Sequence, residues 1–523
     1  MTSLPRTHRV ETLIVGAGPT GLGAAIRLNQ LGQNDFLLVD QNPKPGGLSS
    51  TVCTPEGFLF DLGGHVIFSH YQYFDDLLAS AIDEWITHER ISYVLFKDRW
   101  IPYPFQNNLS LLPVDDQVKC IRGAIKAAKL SSTSQKPLNF NEWMTYTMGD
   151  GIADVFLRPY NKKVWAYDPE IMSCTWLGER VAVVDAESAA EQIIRKTVNH
   201  SWGPNAVFKF PKKGGTGAIW SAVGEMIPME KVAYGWKLQG LDVSERRARL
   251  RKVTSLDSAK DDQLVQEPED MIINYTNLIS SIPLDILFNL SDAPPLDLSG
   301  LIYSSTHIIG IGFRGSHELD KKCWLYFPED TCPFYRCTVF SNYSDLNVPG
   351  PDVKLSTISR AGDYEGSSEG EPPREAMNEY DTVKQPGPYF SLMFEVAESP
   401  VKPVDSETIV QETIRGAIAC NLIKFESEIV SIFHTRLERG YPTPTLGRDA
   451  ALARALPWLE SHGIFSRGRF GAWKYEVANQ DHSLMQGVEA VDRILFGGAE
   501  KTLNDPDAVN KAKNMEPVFS RGG

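Results

Sequence analysis

Residues 12–40 read TLIVGAGPTGLGAAIRLNQLGQNDFLLVD, and the fold prediction rests mainly on them. The apolar run at 12–15 predicts a short buried strand that leads directly into Gly16-Ala17-Gly18-Pro19-Thr20-Gly21. That hexapeptide fits the G-x-G-x-x-G pattern, so a helix is predicted to begin there. A second parallel strand is predicted over 36–39, and Asp40 ends it. The order of strand, glycine turn, helix and strand therefore predicts an α/β domain.

The spacing of the glycines has a physical reason. A dinucleotide pyrophosphate must come within hydrogen-bond distance of the N–H groups at a helix N-terminus. Gly16 and Gly18 allow the tight turn and that approach, and Gly21 lets the helix pack closely on the strand. Asp40, nineteen positions after Gly21, would accept hydrogen bonds from the ribose hydroxyls of the adenosine. We therefore predict a Rossmann-like domain that binds a dinucleotide through these four residues.

Two further glycine pairs indicate which dinucleotide binds. Gly46-Gly47 follows the acidic residue, and Asp61-Leu62-Gly63-Gly64-His65 comes shortly afterwards. Both resemble the large flavoprotein group of amine oxidases and their relatives, in which these loops line FAD. The resemblance implies that this chain binds FAD as well. The alternative is that these are ordinary glycine turns of an NAD enzyme.

Composition limits the remaining classes of protein. A chain of 523 residues is long enough for about two to four domains. Its net charge of −14 argues against nucleic-acid binding but is compatible with a local basic pocket for an anionic ligand. Seven cysteines without a C-x-x-C pair indicate neither a disulfide framework nor a zinc site, and no metal is predicted. The lack of a run of ~18 apolar residues and of a secretory signal predicts no membrane span and a cytoplasmic protein.

The sequence patterns divide the chain into three domains. Helical periodicity follows Leu112, strand patterns dominate from 306 to 396, and small and apolar residues return near the C-terminus. The predicted domains are a discontinuous Rossmann-like FAD-binding domain (1–89, 206–240 and 440–523), a helical insertion domain (110–200), and an antiparallel β-sheet substrate domain (90–109, 241–305 and 306–439). Two polar inserts, 257–270 and 360–388, are predicted to be loops with no assigned role.

Three segments place arginines in aromatic, turn-rich surroundings: WLGER at 176–180, CPFYR at 332–336 and SRGRFG at 466–471. An arginine can bind a phosphate through two parallel hydrogen bonds, and an acidic protein needs such groups locally to hold a nucleotide anion. Spacing alone favours the alternative that each arginine forms an ordinary surface salt bridge.

Longer motifs are distributed over most of the chain. They are GHVIFSH (64–70), PYPFQNN (102–108), RPYN (158–161) with KVW (163–165), YPTP (441–444), RFG (469–471) with YEV (475–477), and NQDHS (479–483). In this order they resemble the UDP-galactopyranose mutase family, and the eukaryotic, fungal-type form matches best. The matching blocks run from residue 12 to about residue 492.

The resemblance implies an isomerase, an intramolecular transferase of galactofuranose biosynthesis for the cell wall. Such an enzyme converts UDP-galactopyranose to UDP-galactofuranose with reduced FAD as the covalent nucleophile and no net redox change. NADPH reduces the flavin before catalysis. The resemblance also implies a homo-oligomer, with a tetramer as one form.

The resemblance also implies roles for individual residues. Arg180 and Arg336 match two diphosphate-binding catalytic arginines, and His65 matches a histidine beside the flavin ring. The implied substrate site consists of Tyr103, Gln106, Phe156, Asn161, Trp165, Arg180, Asn205, Trp324, Tyr326, Arg336, Tyr343, Tyr441 and Tyr475. The implied FAD contacts are Thr20, Asp40, Gly47, Leu48, Gly63, Gly64, His65, Arg469, Asn479, Gln480 and Ser483. The implied NADPH contacts are Arg90 and Ser92.

The sequence departs from the family pattern at one cofactor position. Where relatives place a valine whose backbone meets the adenine, residues 237–243 read KLQGLDV, and Gly240 is taken as the equivalent. For any aromatic residue of the implied sites taken alone, core packing is the better explanation. Two other functions stay open, an amine-oxidase-type flavin oxidoreductase and a non-catalytic FAD or nucleotide-binding protein.

Overall fold

A computed structural model describes residues 7–130, 136–178, 181–199, 206–253, 269–364 and 383–512. Its strands are β1 Thr7–Val15, β2 Phe36–Asp40, β3 Thr51–Cys53, β4 Leu59–Asp61, β5 Trp85–Glu89, β6 Ser92–Phe96, β7 Arg99–Pro102, β8 Val207–Pro211, β9 Val232–Tyr234, β10 Trp236–Asp242, β11 Arg247–Lys252, β12 Asp270–Ser280, β13 Tyr303–Arg314, β14 Trp324–Tyr326, β15 Arg336–Thr338, β16 Ser359–Arg360, β17 Tyr389–Glu398, β18 Glu428–Pro442 and β19 Ile464–Ser466. Its helices are α1 Pro19–Gln30, α2 Gln72–Ala81, α3 Val114–Leu130, α4 Phe140–Ile152, α5 Arg158–Trp165, α6 Ala186–Arg195, α7 Gly215–Glu225, α8 Leu284–Asn289, α9 Ile409–Ala419, α10 Arg448–Ser461, α11 Gln480–Phe496, α12 Lys501–Asn504 and α13 Pro506–Lys511.

The first sheet contains the predicted strand, turn, helix and strand. Its strand order is β10-β11-β12-β1-β2-β9, and β19 also pairs with β12. The central strand β1 pairs in parallel with both β2 and β12, and α1 provides the crossover that the parallel pair β1 and β2 needs. Both faces of β1 and β2 are covered by apolar cores, as expected for a doubly wound sheet. The predicted Rossmann-like α/β fold class is therefore confirmed.

The segment 241–305 differs from the sequence-based prediction. From its strand patterns, the sequence analysis assigned this segment to the substrate domain. In the structure, β11 and β12 both lie in the first sheet, and β12 pairs with β1 along most of its length. Strand patterns identify a strand but not its neighbour, because the pairing partner lies more than 200 residues away in the chain. The remaining domain boundaries stay a prediction.

The second sheet has the order β16-β18-β13-β17-β15-β14-β6-β7. Its centre, formed by β13, β17 and β18, is antiparallel, as predicted. One pair departs from the prediction, because β14 and β6 run in parallel. Parallel neighbours need a long connection, and the chain between residues 96 and 324 supplies it. The sheet is therefore mixed rather than purely antiparallel.

The helical region packs against one end of this second sheet. Helices α3 and α4 lie along each other, and Phe140, Met144 and Met148 of α4 are fully buried. Val94 and Phe96 of β6 belong to the same apolar core. Within the parts of the chain that are described, no helix combines the length and the apolar character needed to cross a bilayer.

Candidate active site

The glycine turn between β1 and α1 forms one end of the site. Gly16 has φ of +101°, and a Cβ there would lie 2.2 Å from Ser281 Oγ. A larger residue would therefore be strained and would also collide with its neighbour. Helix α1 begins at Pro19 with no acidic residue in its first turn, and its positive N-terminal end lies at the cavity.

Asp40 closes this turn at the end of β2. Its Oδ2 accepts a hydrogen bond from the Ala17 N–H at 2.6 Å, and its Oδ1 accepts one from the Asn42 N–H at 2.7 Å. Burial raises the pKa of Asp40, and these two backbone N–H groups oppose that rise. Each carboxylate oxygen keeps a second lone pair, so ribose hydroxyls can still donate to it.

A cavity of about 1230 Å³ extends from this turn to residues of the second sheet. This exceeds the ~300–1,000 Å³ that is usual for a small-ligand pocket, so it can hold a dinucleotide. The predicted FAD-contacting residues that line it are Gly16, Gly18, Thr20, Asp40, Gly47, Leu48, Gly63, Gly64, His65, Arg469, Asn479, Gln480 and Ser483. The predicted substrate residues that line it are Tyr103, Trp324, Tyr326, Arg336, Tyr343, Tyr441 and Tyr475, and Arg90 lies there too.

His65 lies between the two groups of lining residues. Its Nδ1 is shielded from solvent and has no hydrogen-bond partner among the described residues. Enclosure in the cavity and the positive charges of Arg469 and Arg336 lower the pKa of His65 to about 3. The imidazole is therefore neutral at physiological pH, with one ring nitrogen able to donate and the other able to accept.

This pKa predicts a specific pH dependence of stability. The unfolded chain binds a proton at this histidine below about pH 6.5, whereas the folded protein binds it only near pH 3. The free energy of unfolding should therefore fall as the pH falls from 6.5 towards 3. His65→Asn should remove the contribution of this histidine to the fall in the free energy of unfolding. Urea denaturation of wild type and variant at pH 7 and at pH 4.5 measures this difference. An equal loss in wild type and variant would contradict the assignment.

Arg336, at the start of β15, is a basic group at the other end of the cavity. Its Nε and Nη2 donate to the two carboxylate oxygens of Glu395, each at 2.7 Å. Burial opposes the positive charge, but Glu395 overrides this effect, so the pKa of Arg336 is raised well above its ordinary value. About 20% of the arginine side chain remains exposed, whereas Glu395 is only 2% exposed. The guanidinium therefore still faces the cavity.

Aromatic side chains surround this arginine. Tyr103 and Tyr326 have ring centroids 5.2 Å apart, and Tyr441 and Tyr475 have centroids 5.9 Å apart. The guanidinium of Arg469 lies 5.0 Å from the Tyr441 ring centroid, within the range of a cation–π interaction. Burial raises the pKa of Tyr326 and Tyr441, so both phenols stay protonated at neutral pH. Each can therefore donate a hydrogen bond to a ligand oxygen.

Other predicted site residues lie behind the lining. Gln106 donates to the Ala182 carbonyl at 2.6 Å, and Phe156 stacks on Phe105 with centroids 4.5 Å apart. Trp165 is buried against Tyr475. Four other predicted site residues also lie away from the cavity lining. They are Gly21 beneath the glycine turn, Asn161 in α5, Ser92 in β6, and Gly240, one residue past the lining segment 236–239. Arg180 and Asn205 lie outside the described residues. The roles of all these residues stay predictions.

Five acidic residues of the described cavity wall are absent from the sequence-based prediction, and Glu395 and Asp481 are the most deeply buried of them. Glu395 is the charged residue within the buried run 389–397 of β17, and a lone carboxylate in an apolar strand could have identified it. Asp481, in the first turn of α11, lies 2.8 Å from Nδ1 of His70. Burial alone would raise the pKa of Asp481, but His482 and His70 lower it overall. Its position inside the motif NQDHS was the available signal.

Comparisons with known proteins agree with this geometry. Residues 14–81 match the family described as NAD(P)-binding Rossmann-like domain. A solved structure of reduced UDP-galactopyranose mutase is 41% identical over 97% of this chain and 98% of that chain, with a TM-score of 0.84.

More distant structures share the fold alone. A fatty acid isomerase from P. acnes that produces CLA is 11% identical over 93% of this chain and 99% of that one, with a TM-score of 0.56. A putrescine oxidase variant is 14% identical over 94% and 99%, with a TM-score of 0.57. The mutase structure has a much higher sequence identity, 41% over nearly the whole of both chains. This chain therefore belongs to the UDP-galactopyranose mutase family.

Proposed function

We propose that this chain is an FAD-dependent isomerase that interconverts UDP-galactopyranose and UDP-galactofuranose. The observation that carries the proposal is one cavity with a dinucleotide-binding turn at one end and Arg336 among tyrosines at the other. The relative with 41% identity supports the same reaction. An amine-oxidase-type enzyme would need no such arginine and tyrosines for a diphosphate.

The residues at the turn fit FAD. The left-handed Gly16, the open N-terminus of α1 and Asp40 together make a site for pyrophosphate and ribose. Further along the cavity, His65 Nδ1 offers a buried polar atom to a ring system. When bound and reduced, the flavin would supply a nucleophile for the anomeric carbon of the sugar, with no net redox change. Reduction by NADPH, with Arg90 and Ser92 in contact, is part of the proposal.

The protein then has to hold the sugar nucleotide and stabilise the leaving diphosphate. Arg336 supplies positive charge where the negative charge of UDP grows. Tyr326 and Tyr441 supply phenol hydroxyls that remain protonated. The buried Tyr343 hydroxyl has no hydrogen-bond partner among the described residues, so it can donate to a phosphate oxygen. Arg180, from outside those residues, is proposed as the second diphosphate arginine.

His65 is proposed to contact the flavin ring as a neutral imidazole, consistent with its lowered pKa of about 3. The uridine is proposed to bind near Tyr103, with Gln106, Phe156, Asn161 and Trp165 forming the wall behind it. We also propose a cytoplasmic homo-oligomer of the fungal type.

The reaction can be tested directly. The flavin-loaded protein is incubated with UDP-galactopyranose, with and without dithionite, and the two isomers are separated by chromatography. UDP-galactofuranose is expected in the reduced sample alone. An unchanged sugar nucleotide in the reduced sample would overturn the proposal, and oxygen consumption with an amine substrate would favour an oxidase instead.

A further inference from the structure

Glu395 is a buried carboxylate that the proposed reaction does not itself use. It lies on β17 directly opposite Arg336 of β15 in the sheet register, and its side chain reaches the cavity wall. Only 2% of it is exposed. Burying a charge is costly unless it is paired and hydrogen-bonded, so a carboxylate kept here needs a specific partner. Arg336 is that partner.

The contacts use one edge of the guanidinium and leave another edge available. Glu395 accepts from Nε and Nη2 of Arg336, each at 2.7 Å, and also accepts from the Tyr335 hydroxyl at 2.6 Å. Nη1 of Arg336 has no hydrogen-bond partner in the described parts of the chain. A guanidinium has five N–H donors in a rigid plane, so fixing one edge also fixes the direction of the edge formed by Nη1 and Nη2.

A backbone loop also lies against this ion pair. A Cβ built on Gly64 would lie 2.8 Å from Nη2 of Arg336 and 3.1 Å from Oε1 of Glu395. The backbone of the loop 63–65 therefore lies directly against the ion pair. The hydrogen bonds to Glu395 and the close packing of this loop together leave the guanidinium little freedom to turn.

We propose that Glu395 is a positioning residue, which aims the free edge of Arg336 at the diphosphate of the bound nucleotide. This inference rests on the proposed function, because that function places a diphosphate beside Arg336. The ion pair has no net charge, so Glu395 weakens the attraction of Arg336 for an anion while it fixes the arginine's orientation. Its contribution is therefore to turnover and not to the affinity for UDP.

Glu395→Gln separates these two effects. The amide has the same shape as the carboxylate but no charge, so Arg336 keeps its positive charge and loses its fixed orientation. In the reduced enzyme we expect kcat to fall by about tenfold to a hundredfold, as for a misplaced catalytic group. The Kd for UDP, measured by calorimetry on the flavin-loaded protein, should stay unchanged or become smaller. A role confined to folding would not split kcat from Kd in this way.

A double-mutant cycle tests whether Glu395 acts through Arg336. In the Arg336→Ala background, Glu395→Gln should cause no further loss of kcat, because the group that it positions is gone. The double variant should also have a higher Tm than Arg336→Ala, since it no longer buries an unpaired carboxylate. Glu395→Asp, which keeps the charge but withdraws it by one methylene, serves as a second variant and should also lower kcat.

Glu428→Gln is the matched control. Glu428 accepts from Arg314 at 2.8 Å in the same sheet but away from the cavity, so the same chemical change there should leave kcat as in wild type. Wild-type kcat in Glu395→Gln and Glu395→Asp, or additive losses in the cycle, would overturn the inference. An inactive wild-type protein would instead overturn the proposed function, so the two failures are distinguishable.

Discussion

Arg336→Ala is expected to reduce the kcat of the reduced enzyme by about 10²- to 10³-fold, the range seen when one donor to a developing charge is removed. Arg336 offers the free edge of its guanidinium to the cavity. The negative charge of the departing diphosphate would then develop without this partner. Steady-state rates of isomer formation, at equal flavin content, measure the effect.

The same substitution should also destabilise the protein. It leaves the carboxylate of Glu395 buried, with the Tyr335 hydroxyl as its remaining side-chain donor. Breaking a buried ion pair by removing one partner costs about 3–5 kcal/mol. Arg336→Lys keeps the charge but cannot make two parallel hydrogen bonds, and so should recover stability more than turnover. Full activity in Arg336→Ala at normal flavin content would contradict the role assigned to this arginine.

Gly21→Ala is expected to abolish flavin binding and to destabilise the first sheet by more than about 3 kcal/mol, the upper end of ordinary overpacking costs. A Cβ on Gly21 would lie 1.8 Å from the carbonyl oxygen of Gly16. That contact is with backbone, so no side chain can move away to relieve it. The turn itself would have to open, and the N-terminus of α1 would shift away from the pyrophosphate position.

Flavin absorbance per protein and thermal denaturation measure this effect. Gly350→Ala is the matched control, because nothing lies within 4 Å of a Cβ built there. It should bind flavin and unfold as the wild type does. A Gly21→Ala protein that stays yellow and unfolds at the wild-type temperature would show that the turn adapts, contrary to the geometry.

Part of the candidate site was predictable because its signals are local. The glycine turn, Asp40 and the helix that follows lie within 30 residues, and each is dictated by short-range backbone requirements. The family motifs are also continuous in sequence, so the residue pattern alone was enough to predict site positions for His65, Tyr441 and Arg469. All three line the cavity.

Other features depend on pairings between distant parts of the chain. The strand pattern of β12 was recognisable, but its place beside β1 depends on a partner more than 200 residues away. Likewise, the parallel pairing of β14 with β6 has no local signature, because strand patterns report which faces are buried and not which strand is the neighbour.

Local backbone geometry and continuous motifs were enough to predict the Rossmann-like domain, FAD as the cofactor and the family. The contact between Glu395 and Arg336 became visible in the three-dimensional fold, because these residues are 59 positions apart and meet through the register of β15 and β17. The fold also brings the glycine turn and the tyrosines to one cavity. A short sequence motif shows which side chains are present at neighbouring positions. The sheet register that brings distant side chains together depends on the packing of the whole chain.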